Sequence, residues 1–105
     1  MVKLQVLYGH PKDPAAFEAY YRDPHTPIAV KVPGLRRFEA SKVVGAPGGA
    51  QPAFYRTADL YFDNMDALQA ALSSPQGQAA ANDIANFATG GVTLMVVETQ
   101  DVLSK

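Results

Sequence analysis

Strand-like and helix-like spacings follow one another along this chain in the order β, α, β, β, α, β, and no other feature narrows the fold so far. From Val2 to Tyr8, Val2, Leu4, Val6 and Tyr8 share one parity and Lys3, Gln5 and Leu7 the other, which is the period of a strand. Asp13 followed by Pro14 supplies an N-cap carboxylate and a residue suited to a first helical turn. Phe17, Tyr20 and Tyr21 then recur at spacings of three and four, so one aromatic face is expected on the sheet, and Pro24 is expected to stop or bend that helix. A second short helical stretch is expected through Ile28 and Val32, ended by Pro33 and Gly34. Strands are expected over residues 35–44 and 53–62, joined by the glycine- and proline-rich loop 45–52. In the later strand Phe54, Ala58, Leu60 and Phe62 share one face, and Tyr55, Thr57, Asp59 and Tyr61 the other. Asn64 predicts the cap of a helix whose buried stripe is Met65, Leu68 and Leu72, and Ser74-Pro75 opens a further segment toward Ile84 and Phe87. After Gly90-Gly91, residues 92–98 are apolar on both parities, as expected of a strand covered on both sides.

That order is the split βαβ of the ferredoxin-like class, an α+β fold with a four-stranded antiparallel sheet and helices on one face. The 105 residues suffice for one modest core and so for a single domain over 1–105. With 48% apolar and 18% charged residues the chain is expected to pack rather than stay disordered. The helices cover only one face. Leu7, Met95, Val97 and the tyrosines of the other would leave a large apolar patch in water, and a second copy of the chain is the simplest cover. A net charge of −1 without a basic run argues against nucleic acid or an anionic membrane as partner. No apolar run has the length of a membrane span and no leader pattern opens the sequence, so a cytoplasmic location is expected. The lack of cysteine removes disulfides, thiolate metal sites and cysteine nucleophiles together.

Read together, Tyr8 and Pro11, the aromatic pair Tyr20-Tyr21 ahead of His25-Thr26-Pro27, the PGL of Pro33 to Leu35, the loop GAPGG, and Asp83 with Asn86-Phe87 resemble the EthD family over nearly the whole chain. The resemblance implies a dimeric α+β barrel, in which two four-stranded sheets pack face to face and each subunit keeps a cleft between sheet and helices. Its wider superfamily includes cofactor-free monooxygenases, lactone isomerases and heme-dependent enzymes. The family's name comes from an association with ethyl tert-butyl ether degradation beside a cytochrome P450 system. A fold shared by so many chemistries does not choose among them.

His25 is the first candidate for chemistry, because imidazole changes protonation near neutral pH and both donates and accepts hydrogen bonds. The family motif supports a pocket role for it; the competing reading is a local cap at a helix break, shared with Asp23 and Thr26. Asp83 is a candidate either to orient His25 or to cap a neighbouring segment, and Asn86, three residues on, shares its helical face. Tyr8, Tyr21, Tyr55 and Tyr61 each offer a ring for packing and a hydroxyl for a ligand. His10, in a turn, is expected to be exposed. Asp59 in mid-strand needs a cationic partner, with Arg36, Arg37 or Arg56 as candidates, and an ion pair at a dimer interface is its expected use. No nucleotide-binding, hydrolase or metal-ligand motif occurs, and no bound cofactor is called for, although a lone histidine is able to ligate heme iron. Two functions follow as expectations: an enzyme acting on a small apolar or aromatic molecule with His25 handling a proton, or a non-catalytic carrier accessory to an oxygenase or degradation pathway.

Overall fold

The computed structural model describes residues 1–105. Its strands are β1 (Val2–Tyr8), β2 (Arg37–Lys42), β3 (Arg56–Phe62) and β4 (Val92–Glu98), in a wholly antiparallel sheet of order β2-β3-β1-β4. Between β1 and β2 lie α1 (Pro14–Tyr20), a π-helical turn (Tyr21–His25) and α2 (Thr26–Ala29); between β3 and β4 lie α3 (Met65–Ser73), α4 (Pro75–Asp83) and a 3-10 turn (Ile84–Asn86). This is an α+β ferredoxin-like arrangement.

Short polar side chains start each long helix. Asp13 accepts the Ala16 N–H at 3.2 Å and Asn64 accepts the Ala67 N–H at 2.9 Å, satisfying donors that a helix start otherwise leaves orphaned. Ser74 serves two helices at once. Its hydroxyl donates to the Ala71 carbonyl at the end of α3 (2.6 Å) and accepts the Gly77 N–H at the start of α4 (3.0 Å). The pair is therefore joined by one residue, and α4 turns back tightly on α3.

The helices cover the sheet face formed by Val2, Val6 and Tyr8 of β1 and Ala58, Leu60 and Phe62 of β3, on which Phe17, Tyr21, Leu68, Ala71 and Phe87 pack. Register sets Leu4 opposite Leu60 and Val6 opposite Ala58, so apolar rows of neighbouring strands meet on this face. The other face carries Lys3, Asp59, Tyr61, Arg37 and Glu39. Asp59 finds its cation there in Lys3 (3.7 Å), across the β1–β3 pair, and not in any of the three expected arginines: Arg36 pairs with Asp63, Arg37 with Glu39 and Arg56 with Glu18.

Four sequence expectations need correction. β3 starts at Arg56 and not at residue 53, so Tyr55 escapes the strand alternation and turns its ring edge-on to Phe17, 5.3 Å away on the helix side. β2 is likewise shorter than expected. In α3 the sheet-facing pair is Leu68 and Ala71, three apart, whereas Met65 and Leu72 flank the contact and stay 40% and 37% exposed. β4 is an edge strand bonded only to β1; Leu94 is 52% and Val96 49% exposed, so within one chain the strand is not covered on both sides.

Gly77 is the tightest point of the α3–α4 joint, since a Cβ there would lie 2.0 Å from the Ala71 carbonyl oxygen, a backbone atom. Gly77→Ala is therefore expected to lower stability by about 2 kcal/mol or more despite alanine's better helix propensity. A urea denaturation midpoint equal to or above that of the parent chain would contradict this close packing.

Candidate functional site

The candidate site begins with the way α1 ends. Pro24 has no N–H to offer the Tyr20 carbonyl, so the helical ladder cannot continue in α register. It widens instead of stopping: the Thr26 N–H bonds to the Tyr21 carbonyl five residues back, and the Thr26 hydroxyl donates to the same oxygen at 2.7 Å. The expected break at Pro24 is thus a π-helical turn that carries the chain straight into α2. Phe17, Tyr21 and His25, at steps of four, remain on the buried face. The His25 ring lies nearly parallel to Tyr21 (5.6 Å between centroids, 23°) and 4.6 Å from Phe87, and the residue is only 4% exposed.

A buried imidazole needs a partner, and Asp83 at the end of α4 supplies it. Asp83 Oδ2 lies 2.9 Å from His25 Nδ1. Its other oxygen accepts the Tyr20 hydroxyl at 2.7 Å and the Asn86 side-chain N–H at 2.9 Å, and Asn86 also reaches the Tyr20 hydroxyl at 3.2 Å. Burial works to raise the Asp83 carboxyl, but the hydrogen bonds from Tyr20, Asn86 and His25 outweigh it and hold the group below the usual carboxylate range. An ionised carboxylate only accepts, so Nδ1 must bear the proton, and in the neutral tautomer that this bond selects Nε2 is the free acceptor. Nε2 has no partner among the protein's hydrogen bonds, and it is not one of the sealed polar atoms that lack a hydrogen bond, which are Tyr21 Oη, Tyr55 Oη and Asp59 Oδ1.

His25, whose free ring nitrogen is Nε2, lines a cavity of about 340 Å³ between the sheet and the helices. Fifteen of its 19 lining residues are hydrophobic, which suits an apolar molecule and offers few groups to hold a charged one. Leu4, Val6 and Tyr8 of β1, Leu60 and Phe62 of β3 and Leu94 of β4 line the cavity from the sheet; Ala29, Ala80 and Ile84 come from the helical side, with the exposed amides Gln78 and Asn82. Tyr8 and Tyr21 line the same space as His25. Burial pushes the Tyr21 phenol up to about 12 and, helped by Tyr21 and Asp83, also raises that of Tyr8, so both remain neutral donors. The Arg56 guanidinium sits 5.0 Å from the Tyr21 ring centre but is held by Glu18 through two bonds of 2.7 and 3.1 Å. It is committed to that pair.

Of the residues singled out in the sequence, Tyr8, Tyr21 and His25 meet at the cavity, and Asp83 and Asn86 stand behind His25. Two do not join them. Tyr55 packs against Phe17 outside the lining, and Tyr61 lies on the opposite sheet face, its hydroxyl donating to Glu39 at 2.8 Å. His10 is exposed, with Nε2 2.7 Å from the Pro52 carbonyl. Tyr20 was missed. As half of a Tyr-Tyr pair it reads as packing surface, and only the return of α4 past α1 gives its hydroxyl a carboxylate. No three side chains of His, Asp or Glu converge as a metal nest.

Because the Asp83 pKa is depressed on folding, its contribution to stability is present above the unfolded-state value and is lost as pH falls through the folded value. Asp83→Asn is expected to cost about 2 kcal/mol at neutral pH and to lose less of its remaining stability on acidification than the parent. Parallel stability-against-pH curves for the two proteins would count against the carboxylate's role.

Comparison with known proteins agrees with this architecture. A model of the EthD domain matches residues 10–91. An uncharacterized 11.0 kDa protein of the thcB-thcC intergenic region in Rhodococcus erythropolis is 41% identical over 103 residues, spanning 98% of this chain and 99% of the relative. The crystal structure of an EthD family protein from Bacillus halodurans C-125 superposes with a TM-score of 0.90 at 38% identity, covering 95% of this chain and 99% of that one. A dimeric protein of unknown function from Bacteroides fragilis, 18% identical with a TM-score of 0.65 over 93% of this chain and 95% of its own, shares the ferredoxin-like fold. Since the matched stretch runs from before α1 to beyond Asn86, it takes in both helical segments that build the His25 network, and the chain belongs to the EthD family.

Proposed function

We propose that this chain is a single-domain subunit of a homodimer that binds a small apolar or aromatic molecule in the sheet–helix cavity, and that His25 exchanges a proton with it without a bound cofactor. The observation that carries the reading is the unpaired Nε2 of a histidine whose other nitrogen is fixed by a buried carboxylate, set in a mostly apolar wall whose two amide side chains, Gln78 and Asn82, are exposed. Asp83 fixes the ring's orientation and tautomer and favours the imidazolium once Nε2 accepts a proton. Tyr20 and Asn86 hold Asp83. The apolar lining keeps bulk water from competing for that proton. A carrier role shares the same pocket and differs only in what happens at Nε2.

The dimer is argued from surface. β4 leaves Leu94, Met95 and Val96 substantially exposed along a free edge, and the face opposite the helices has both signs of charge in Lys3, Asp59, Arg37 and Glu39. A second copy related by a two-fold axis can set each sign against its opposite while covering the apolar edge. Dimeric members of the same fold class support this reading.

Native mass spectrometry of the purified protein identifies the substrate class if an apolar or aromatic molecule co-purifies. His25→Ala is then expected to reduce turnover of that molecule by about a hundredfold or more while the dimer persists. Unchanged turnover in the folded variant would remove His25 from the chemistry, and binding without turnover in both proteins would favour the carrier. Light scattering is expected to give twice the chain mass of 11.2 kDa at micromolar concentration, and a stable monomer would refute the dimer.

A further inference from the structure

The polar end of the cavity selects more narrowly than its apolar lining. Tyr8 is 1% exposed, yet its hydroxyl bonds to no protein group and is absent from the sealed orphan atoms. The little surface this side chain keeps therefore includes its hydroxyl, and Tyr8 lines the cavity. His25 repeats the pattern, 4% exposed with Nε2 unpaired. Two unpartnered polar atoms, each on a side chain more than nine-tenths buried, thus reach the same apolar space. One is an acceptor, because Nδ1 holds the ring proton; the other is a neutral phenol able to donate.

From this pair we infer that the ligand is a phenol of one or two rings, held by its hydroxyl between His25 and Tyr8. The inference rests on the proposal that the cavity binds a small apolar or aromatic molecule. A phenolic oxygen answers both groups at once: its O–H donates to Nε2, and its lone pair accepts the Tyr8 O–H. Other head groups fit less well. A carbonyl oxygen has no proton for Nε2. A carboxylate would meet the Asp83 anion behind His25 with no lysine or arginine in the lining to offset it; Arg56 lies outside the lining and is paired with Glu18. An aromatic N–H donates to Nε2 but is a poor acceptor for Tyr8. A volume of about 340 Å³, near the lower end for ligand pockets, limits the ring count. Transfer of the proton breaks the ligand O–H bond, forms Nε2–H and leaves an aryloxide facing the Tyr8 O–H, with the imidazolium matched by the Asp83 carboxylate.

The test is calorimetric titration of the purified dimer with 2-naphthol and with 2-methylnaphthalene, which replaces the hydroxyl by a methyl of similar size. By apolar burial alone the methyl compound binds more tightly, so a preference for the naphthol reports the polar pair. The expected result is at least about tenfold tighter binding of 2-naphthol, with the preference reduced several-fold in Tyr8→Phe and in His25→Ala. Equal affinities, or tighter binding of 2-methylnaphthalene, overturn the phenol inference and leave the apolar cavity intact. Binding of neither probe overturns the cavity proposal and the inference together. A naphthol preference that survives in both variants also overturns it, because the hydroxyl is then read elsewhere.

Discussion

The Asp83 carboxylate is the point on which the helical layer and the site both depend. Two crossovers, each carrying its own helices, lie on the same sheet face, and little else polar joins them. At Asp83 the end of α4 receives a hydrogen bond from Tyr20 of α1, another from Asn86 and contact with His25 of the π-helical turn, so one side chain locks two crossovers that are some sixty residues apart. A buried anion is costly unless its lone pairs are filled. Here three donors fill them. The same solvation shell built from protein atoms that makes the charge tolerable also fixes the histidine, so stability and the candidate chemistry draw on one set of contacts.

The π-helical turn shows how a local conflict becomes a useful geometry. An α-helix through Pro24 would lack a donor and crowd the preceding turn, while a clean break would release the chain before it had crossed the sheet. Widening by one residue avoids both, and the Thr26 hydroxyl adds a second bond to the Tyr21 carbonyl that already takes the Thr26 N–H. The outcome is that Tyr21 and His25 lie ring over ring against Phe87, with Tyr8 below them. Aromatic edges and faces thus fix the imidazole from several sides, which limits the directions in which its free nitrogen can lie.

Much of this was legible in the sequence because it follows from local rules. The element order, the caps at Asp13, Asn64 and Ser74, and the sheet face built from Val2, Val6 and Tyr8 rest on periodicity and on short polar side chains, and both act over a few residues. The EthD resemblance likewise pointed to His25, Asp83 and Asn86 by their order along the chain. What escaped depends on contacts distant in sequence. Tyr20 and Tyr21 are identical neighbours, yet one serves a carboxylate and the other the cavity wall, a division that only the position of α4 decides. Tyr55 and Tyr61 both fit a strand alternation, but the strand begins one residue after Tyr55, which frees that ring to turn toward Phe17. β4 reads as a doubly covered strand because its apolar content is real; in the folded chain it is an edge, and the cover implied by its composition is not supplied by this chain's own helices.

The sheet order carries a consequence for how the chain is made. β1 lies at the centre, hydrogen-bonded on one side to β3 and on the other to β4, so Val2 pairs with Phe62 and with Glu98. During synthesis β1 emerges before both of its neighbours, with β3 following about fifty residues later and β4 more than about eighty. Pairings so distant in sequence slow folding and leave strand edges unprotected in the interval. For a nascent chain of this design the period between translating β3 and β4 is one of exposure, in which chaperone binding competes with aggregation along the vacant side of β1.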